Sequence, residues 1–437
     1  MELPAGVNRR YAFLAGILLL AIWCWVAFDR PYIFPSHVPW NIYSGTPQAR
    51  PALDIFDYPP LDSSAIKHVC SKTQWNQSVT FICDDSSGNV AEVRNSILNC
   101  VRYTIAVGGS LVVPRITVRE ADEDLFGSNT TELDYMFDTN HLINSLMASC
   151  PQMRIYKAAS TIANRQYAHG PILLIPESLA RKVSKTGMLP AEEWRGLFYQ
   201  WLLQYVAEDA KGPIIVRLGR SYLEYPIHDD DDDFVLHFGK ILKVRQDIRR
   251  LAATVLRTLS STYSLPIRLS EPILENAFVG VYLSTDDEGL PEADQKLARY
   301  QVQSQLYLNQ AFSANLSLVY VASELGHEIP KFIKDASLQN FTVTAKLDLL
   351  KGKDRDDLLR DFTTDQQALV DYLILSKTSD FAGVGHSSFA WNVALARHLY
   401  TTQNGDELDG PQMFDDALSL IYGTPGAHPE FPASMWP

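Results

Sequence analysis

DQQALVDYLILSKTSDFAGVGHSSFAWNVALARH, from Asp365 to His398, reads in order as helix, short strand, glycine turn and second helix. That is how α/β folds place an anion site at the carboxyl end of a strand. Leu369, Val370, Leu373, Ile374 and Leu375 make an apolar helical face, and Ser-Lys-Thr-Ser-Asp breaks it before a strand around Phe381. Gly383 and Gly385 should open a tight turn. Ser387 and Ser388 should cap the next helix, with their hydroxyls and the free N–H groups of its first turn facing an anion, for which a nucleotide pyrophosphate is the natural candidate. The same strand, turn and cap also occur in α/β domains that bind nothing at that corner. A serine-hydrolase elbow is excluded, because Gly-X-Ser-X-Gly needs glycine where Phe389 stands.

Upstream, Phe278–Ser284 (FVGVYLS) reads as a strand, Asp294–Phe312 as a long helix, Ser317–Ser323 as a strand, Ile329–Ala336 as a helix and Phe341–Thr344 as a strand. This alternation predicts a doubly wound parallel sheet, with loops after Leu283, Ser323 and Gly383 gathering at its carboxyl edge. A second such unit lies earlier. Val79–Cys83 is a strand, Ala91–Val107 a helix ended by Gly108, and Leu111–Pro114 a parallel strand reached by a right-handed crossover. Helices around Glu192–Tyr205 and Gly239–Leu259, with a strand at Pro213–Val216 between them, complete it. The expectation is two Rossmann-like domains, 63–260 and 261–437, facing each other across a cleft.

The 437 residues carry a formal net charge of -13, with 46% hydrophobic and 20% charged residues. That balance argues against a nucleic-acid partner, which calls for a basic face. The five aspartates Asp229–Asp233 read as a solvated loop, since like charges in series repel and do not converge on a metal. No Cys/His spacing suggests zinc, the ten histidines are scattered, and no cofactor is expected.

Tyr11–Phe28 is an uncharged apolar run preceded by Arg9 and Arg10, which predicts a type II membrane anchor after a cytosolic tail at 1–10. A cleaved signal peptide is the alternative, and either reading exports the folded part. The proline-rich stretch 29–62 reads as a stem. Sequons at Asn76, Asn129, Asn315 and Asn340 and the even cysteine set Cys70, Cys83, Cys100 and Cys150 fit the lumen of the endoplasmic reticulum or Golgi. Three disulfide connectivities are open.

Three blocks carry a resemblance: CDDSSGNVAEVRNSILNCVRYTIAVGGSLVVPRI at Cys83–Ile116, FVGVYLSTDD from Phe278, and SDFAGVGHSSFAWNVALAR at Ser379–Arg397. In these the chain resembles the GDP-fucose protein O-fucosyltransferase superfamily, most closely its fungal membrane-anchored branch. The resemblance implies a GT-B architecture and metal-independent, inverting transfer of fucose from GDP-fucose to a protein or glycan acceptor. On that footing Asn89 and Arg94 are the catalytic candidates. Gly88, Tyr282, Ser284, Asp371, Gly385, His386, Ser387, Ser388 and Phe389 are the nucleotide-sugar candidates. Asn89 also suits a plain turn, and Arg94 a plain exposed helix position.

One position departs from the family, whose His-Leu-Arg strand end reads here Tyr282-Leu283-Ser284, so the diphosphate clamp is absent. A hydroxyl does not replace a bidentate guanidinium. Arg217 or Arg220 of the middle strand could stand in for it, though nothing in the sequence brings either one there. The alternative function is a luminal nucleotide- or glycan-binding protein of the same fold without turnover. A nucleotide-dependent oxidoreductase is disfavoured, since no Gly-X-Gly-X-X-Gly fingerprint opens either sheet.

Overall fold

Val79–Ile82 (β1), Ser110–Val112 (β2), Arg115–Thr117 (β3), Thr130–Glu132 (β4), Ile155–Tyr156 (β5), His169–Leu174 (β6) and Ile214–Leu218 (β7) are the strands of the first half. Those of the second are Val279–Leu283 (β8), Leu318–Ser323 (β9), Thr342–Thr344 (β10), Asp380–Val384 (β11) and Ser419–Tyr422 (β12). They form two five-stranded sheets, ordered β5-β2-β1-β7-β6 and β10-β9-β8-β11-β12. Every pairing within these two sheets is parallel, while β3 and β4 pair antiparallel. Near-continuous apolar runs are what such strands need, because helices cover both faces of a parallel sheet. The strand order reverses between β1 and β7 in one sheet and between β8 and β11 in the other. Loops at those reversals splay apart and leave a crevice, the usual seat of a ligand.

The computed structural model describes residues 54–118, 130–163, 168–180, 188–207, 210–286, 288–401 and 415–437. The expected anchor at Tyr11–Phe28, most of the stem and the sequon Asn129 lie outside them. Among the described residues no helix is long and apolar enough to cross a membrane. Ala52–Pro437 folds as one compact unit, and it begins earlier than the expected end of the stem at Asp62. Asp54 and Asp57 pair with Arg249, Asp57 also with Lys243, and the Leu61 amide donates to Ser145 Oγ.

The Val90–Val107 helix is capped by Asn89 and closed by Gly108 at φ 76°, the left-handed conformation that glycine tolerates. The expected single helix 294–312 is two, Glu292–Ala298 and Tyr300–Ser313, broken at an extended Arg299. The Leu297 carbonyl beside the break accepts instead from Gln303 Nε2 at 2.9 Å. Likewise 239–259 divides into a single turn at Gly239–Ile241 and the helix Gln246–Thr262. The chain between them leaves helical geometry to bridge Phe137 through Val244.

Cysteine pairing is Cys70–Cys150 and Cys83–Cys100. Of the described sequons, Asn315 and Asn340 are exposed turn residues at positive φ. Asn76 is half-buried, its side-chain oxygen taken by Ser78.

The aspartate run is not uniformly solvated. The Asp230 side chain is 6% exposed, and it receives Arg102 through two bonds of 2.8 and 2.5 Å and the Tyr225 hydroxyl at 2.9 Å. The periodicity conceals this because the partners arrive from distant segments. Asp231, Asp232 and Asp233 are exposed, as expected.

Candidate functional site

A cavity of about 450 Å³ opens at the carboxyl edge of the second sheet, within the usual size range of small-molecule sites. Tyr282 from β8, Ser323 from β9, the short Lys346–Leu349 helix after β10 and the first turn of the Thr364–Leu375 helix wall it, and Asn89 of the first half closes one side. Phe389 lies 2% exposed with its ring stacked on Tyr282 at 4.2 Å. The charged lining is acidic, Glu324, Asp348, Asp365 and Asp371 against Lys346 and Arg355.

A turn and a capped helix follow β11, as the glycine spacing predicts. Gly383 belongs to β11 itself and not to the turn, and its missing side chain lets the following helix close on the strand. A Cβ there would stand 2.5 Å from that of Ala390. Gly385 and His386 make the turn, and the Gly385 amide donates to Tyr422 O at 2.7 Å. Ser387 caps the Ser388–His398 helix by accepting from the Ala390 amide. Ser388 Oγ accepts from Asn89 Nδ2 at 2.8 Å and donates to Glu92 Oε1 at 3.3 Å. Loops from the two sheets therefore meet hydroxyl to amide, and the helix end expected to face a ligand faces a carboxylate of the chain. Asn89 also caps its own helix, accepting from the amides of Ala91 and Glu92. Gly88 is at φ 115°, where a Cβ would lie 2.0 Å from Glu92 Oε2.

Ser284, in the place of the missing arginine, is fixed through its backbone. Its amide donates to Gln303 Oε1 at 3.0 Å, and its carbonyl accepts from Gln303 Nε2 and lies 3.0 Å from His386 Nε2. A neutral His386 donating that bond leaves Nδ1 buried without a partner, and burial holds its pKa below the ordinary histidine value.

Two candidates have structural employment. Arg94 is buried and donates to the carbonyls of Trp436 at 2.6 Å and Pro437 at 2.5 Å, so it ties the returning tail to the first half. Asn95 and Asn99 of the same helix bond Ser434, Trp436 and the Ser221–Tyr222 backbone. Asp371 is 3% exposed and accepts from the Tyr320 hydroxyl at 2.7 Å and from Lys346 Nζ. Both oxygens are engaged, so it anchors Lys346.

The sequence reading missed Lys346, Asp365, Glu92 and the position of Arg220. Lys346 follows the end of β10, where α/β sheets present ligand groups, and Asp365 opens the Thr364–Leu375 helix, so that signal was available. Arg220 carries no local signal. It follows β7, and Nη2 meets Glu92 Oε2 at 2.7 Å.

No family model matches the chain, and no curated protein matches it. Solved structures of similar outline include POFUT1 in complex with GDP, 12% identical with a TM-score of 0.44, over 80% of this chain and 100% of that chain. A structure of POFUT1 in complex with GDP-fucose has the same identity, TM-score and coverage. The fucosyltransferase NodZ from Bradyrhizobium is 14% identical with a TM-score of 0.39, over 74% of this chain and 94% of that chain.

Proposed function

We propose that this chain is a secretory-pathway glycosyltransferase of GT-B architecture, of the fungal membrane-anchored fucosyltransferase-like kind. It would move fucose from GDP-fucose to a hydroxyl of a protein or glycan acceptor, inverting the sugar carbon without a metal. The observation that carries the reading is the acidic cavity beside the Ser388 helix, closed across the cleft by Asn89. Guanine offers two adjacent donors, N1–H and the 2-amino group, which a carboxylate accepts side by side, so Asp365, at the foot of the cavity helix, suits that base. A diphosphate is repelled by the same carboxylates and belongs at the mouth, against the N-terminus of the Ser388 helix. In the transfer the acceptor oxygen bonds the sugar carbon as the carbon–phosphate-oxygen bond breaks, and the acceptor's hydroxyl proton passes to the departing diphosphate. The electron pair leaves with the diphosphate, where the helix amides stabilise it. Disulfides Cys70–Cys150 and Cys83–Cys100 suit an oxidising lumen.

Calorimetric titration with GDP and ADP tests the base assignment. GDP should bind at least tenfold more tightly than ADP, and Asp365→Asn should erase most of that preference. Equal binding of the two nucleotides to the unaltered chain would sink the guanine assignment. A second reading, a nucleotide-binding protein without turnover, is favoured by Ser284. GDP binding without release of fucose to any hydroxyl acceptor, water included, would favour it.

A further inference from the structure

The reversal points of the two sheets meet at an ion pair that the proposed transfer has not used. Arg220 lies in the loop after β7, and Glu92 in the first turn of the helix after β1. Arg220 Nη2 donates to one Glu92 oxygen at 2.7 Å. The other oxygen accepts from Asn89 Nδ2 at 3.2 Å and from Ser388 Oγ at 3.3 Å. A side-chain carboxylate of the chain thus stands at the anion-seeking end of the Ser388 helix, and a guanidinium stands immediately behind it. Arg217 is not equivalent, since Nε contacts both oxygens of Asp84 and Nη2 one of them.

We propose that Arg220 is the cation that binds the donor diphosphate, in place of the arginine missing at Ser284. Glu92 is its resting partner, an internal anion that holds the phosphate position until the nucleotide arrives. The inference rests on the nucleotide-diphosphate reading above. Arg220 has 40% of its side chain exposed, its guanidinium lies 5.1 Å over the Tyr222 ring, and its five donors suffice for a carboxylate and a phosphate together. Without a cation between them, a diphosphate on Ser388 faces the Glu92 carboxylate as like charge against like charge. Gly88 supports the arrangement, because any side chain there would displace Glu92.

The test is calorimetric titration of the whole chain with GDP and with guanosine, for the unaltered protein, Arg220→Met, Arg220→Lys and Glu92→Gln. Arg220→Met should weaken GDP by roughly 10- to 100-fold, the range of a charge-assisted bond, and leave guanosine unchanged. Arg220→Lys should recover only part, because an ammonium lacks the planar fork. Glu92→Gln should tighten GDP several-fold. If GDP binds Arg220→Met as well as the unaltered chain, the inference fails while the nucleotide reading stands. Weaker GDP binding in Glu92→Gln overturns the placeholder role. If neither GDP nor guanosine binds the unaltered chain, the nucleotide reading falls and this inference with it.

Discussion

Replacing Asp230 with alanine should destabilise this protein far more than replacing Asp231, Asp232 or Asp233. Arg102 and Asp230 have side chains 5% and 6% exposed, their bond is double, and the Tyr225 hydroxyl completes the carboxylate. The guanidinium also lies over the rings of Tyr225 and Phe234 at 5.1 and 5.2 Å, so its surroundings are largely aromatic. At an effective dielectric of 20 and a separation of about 4 Å the attraction is about 4 kcal/mol. Removing one partner of a buried pair costs about 3–5 kcal/mol, because the other charge stays behind uncompensated. At roughly 2 °C per kcal/mol for a chain this size, the thermal midpoint should fall by about 6–10 °C. Arg102→Met should cost less, since Asp230 keeps its bond to Tyr225. The double variant Arg102→Met with Asp230→Leu should recover most of the loss, as apolar replacements of buried pairs do. Differential scanning fluorimetry of these three variants, of the unaltered chain and of Asp232→Ala is sufficient. An Asp230→Ala midpoint within a degree of Asp232→Ala, or a double variant as unstable as the sum of the singles, refutes the reasoning.

Arg397 is fully buried and donates to the carbonyls of Leu375, Thr378 and Leu418 and to Ser419 Oγ, joining the ends of a helix and two strands. Arg397→Met strands several carbonyls at about 1–3 kcal/mol each, so a midpoint drop of less than about 3 °C on heating would count against this role. Glu224 has its pKa pushed up to about 7, by burial first and then by the hydrogen bond and charge of Glu177. The folded state therefore holds this proton more tightly than the unfolded chain. Its stabilisation is complete below about pH 4.5 and is lost as pH rises through about 7, by at most about 3 kcal/mol. Thermal midpoints measured between pH 5 and 8 should decline for the unaltered chain and decline less for Glu224→Gln. Equal slopes would contradict the assignment.

Sequence alone determined what is local. Alternating apolar strands and amphipathic helices specify parallel α/β sheets, and Asn89, Gly108 and Ser387 cap and stop their helices as residue type dictates, because a cap depends on a few neighbouring backbone groups. The turn at Gly385–His386 before the Ser388 helix was legible for the same reason. What tertiary structure alone decided is the employment of the charged side chains. Arg94 reads as a catalytic candidate from its helix, yet its partners are Trp436 and Pro437, more than 340 positions on. Asp230 reads as one of five solvated aspartates until Arg102 reaches it from another helix. Arg220 gains a role only because strand order places β7 beside β1 and brings the loop after β1 against Ser388. Local periodicity records which face of an element is apolar, whereas an ion pair forms wherever folding leaves two charges within reach and away from water. That distance belongs to the packed chain and is written in no single segment of it.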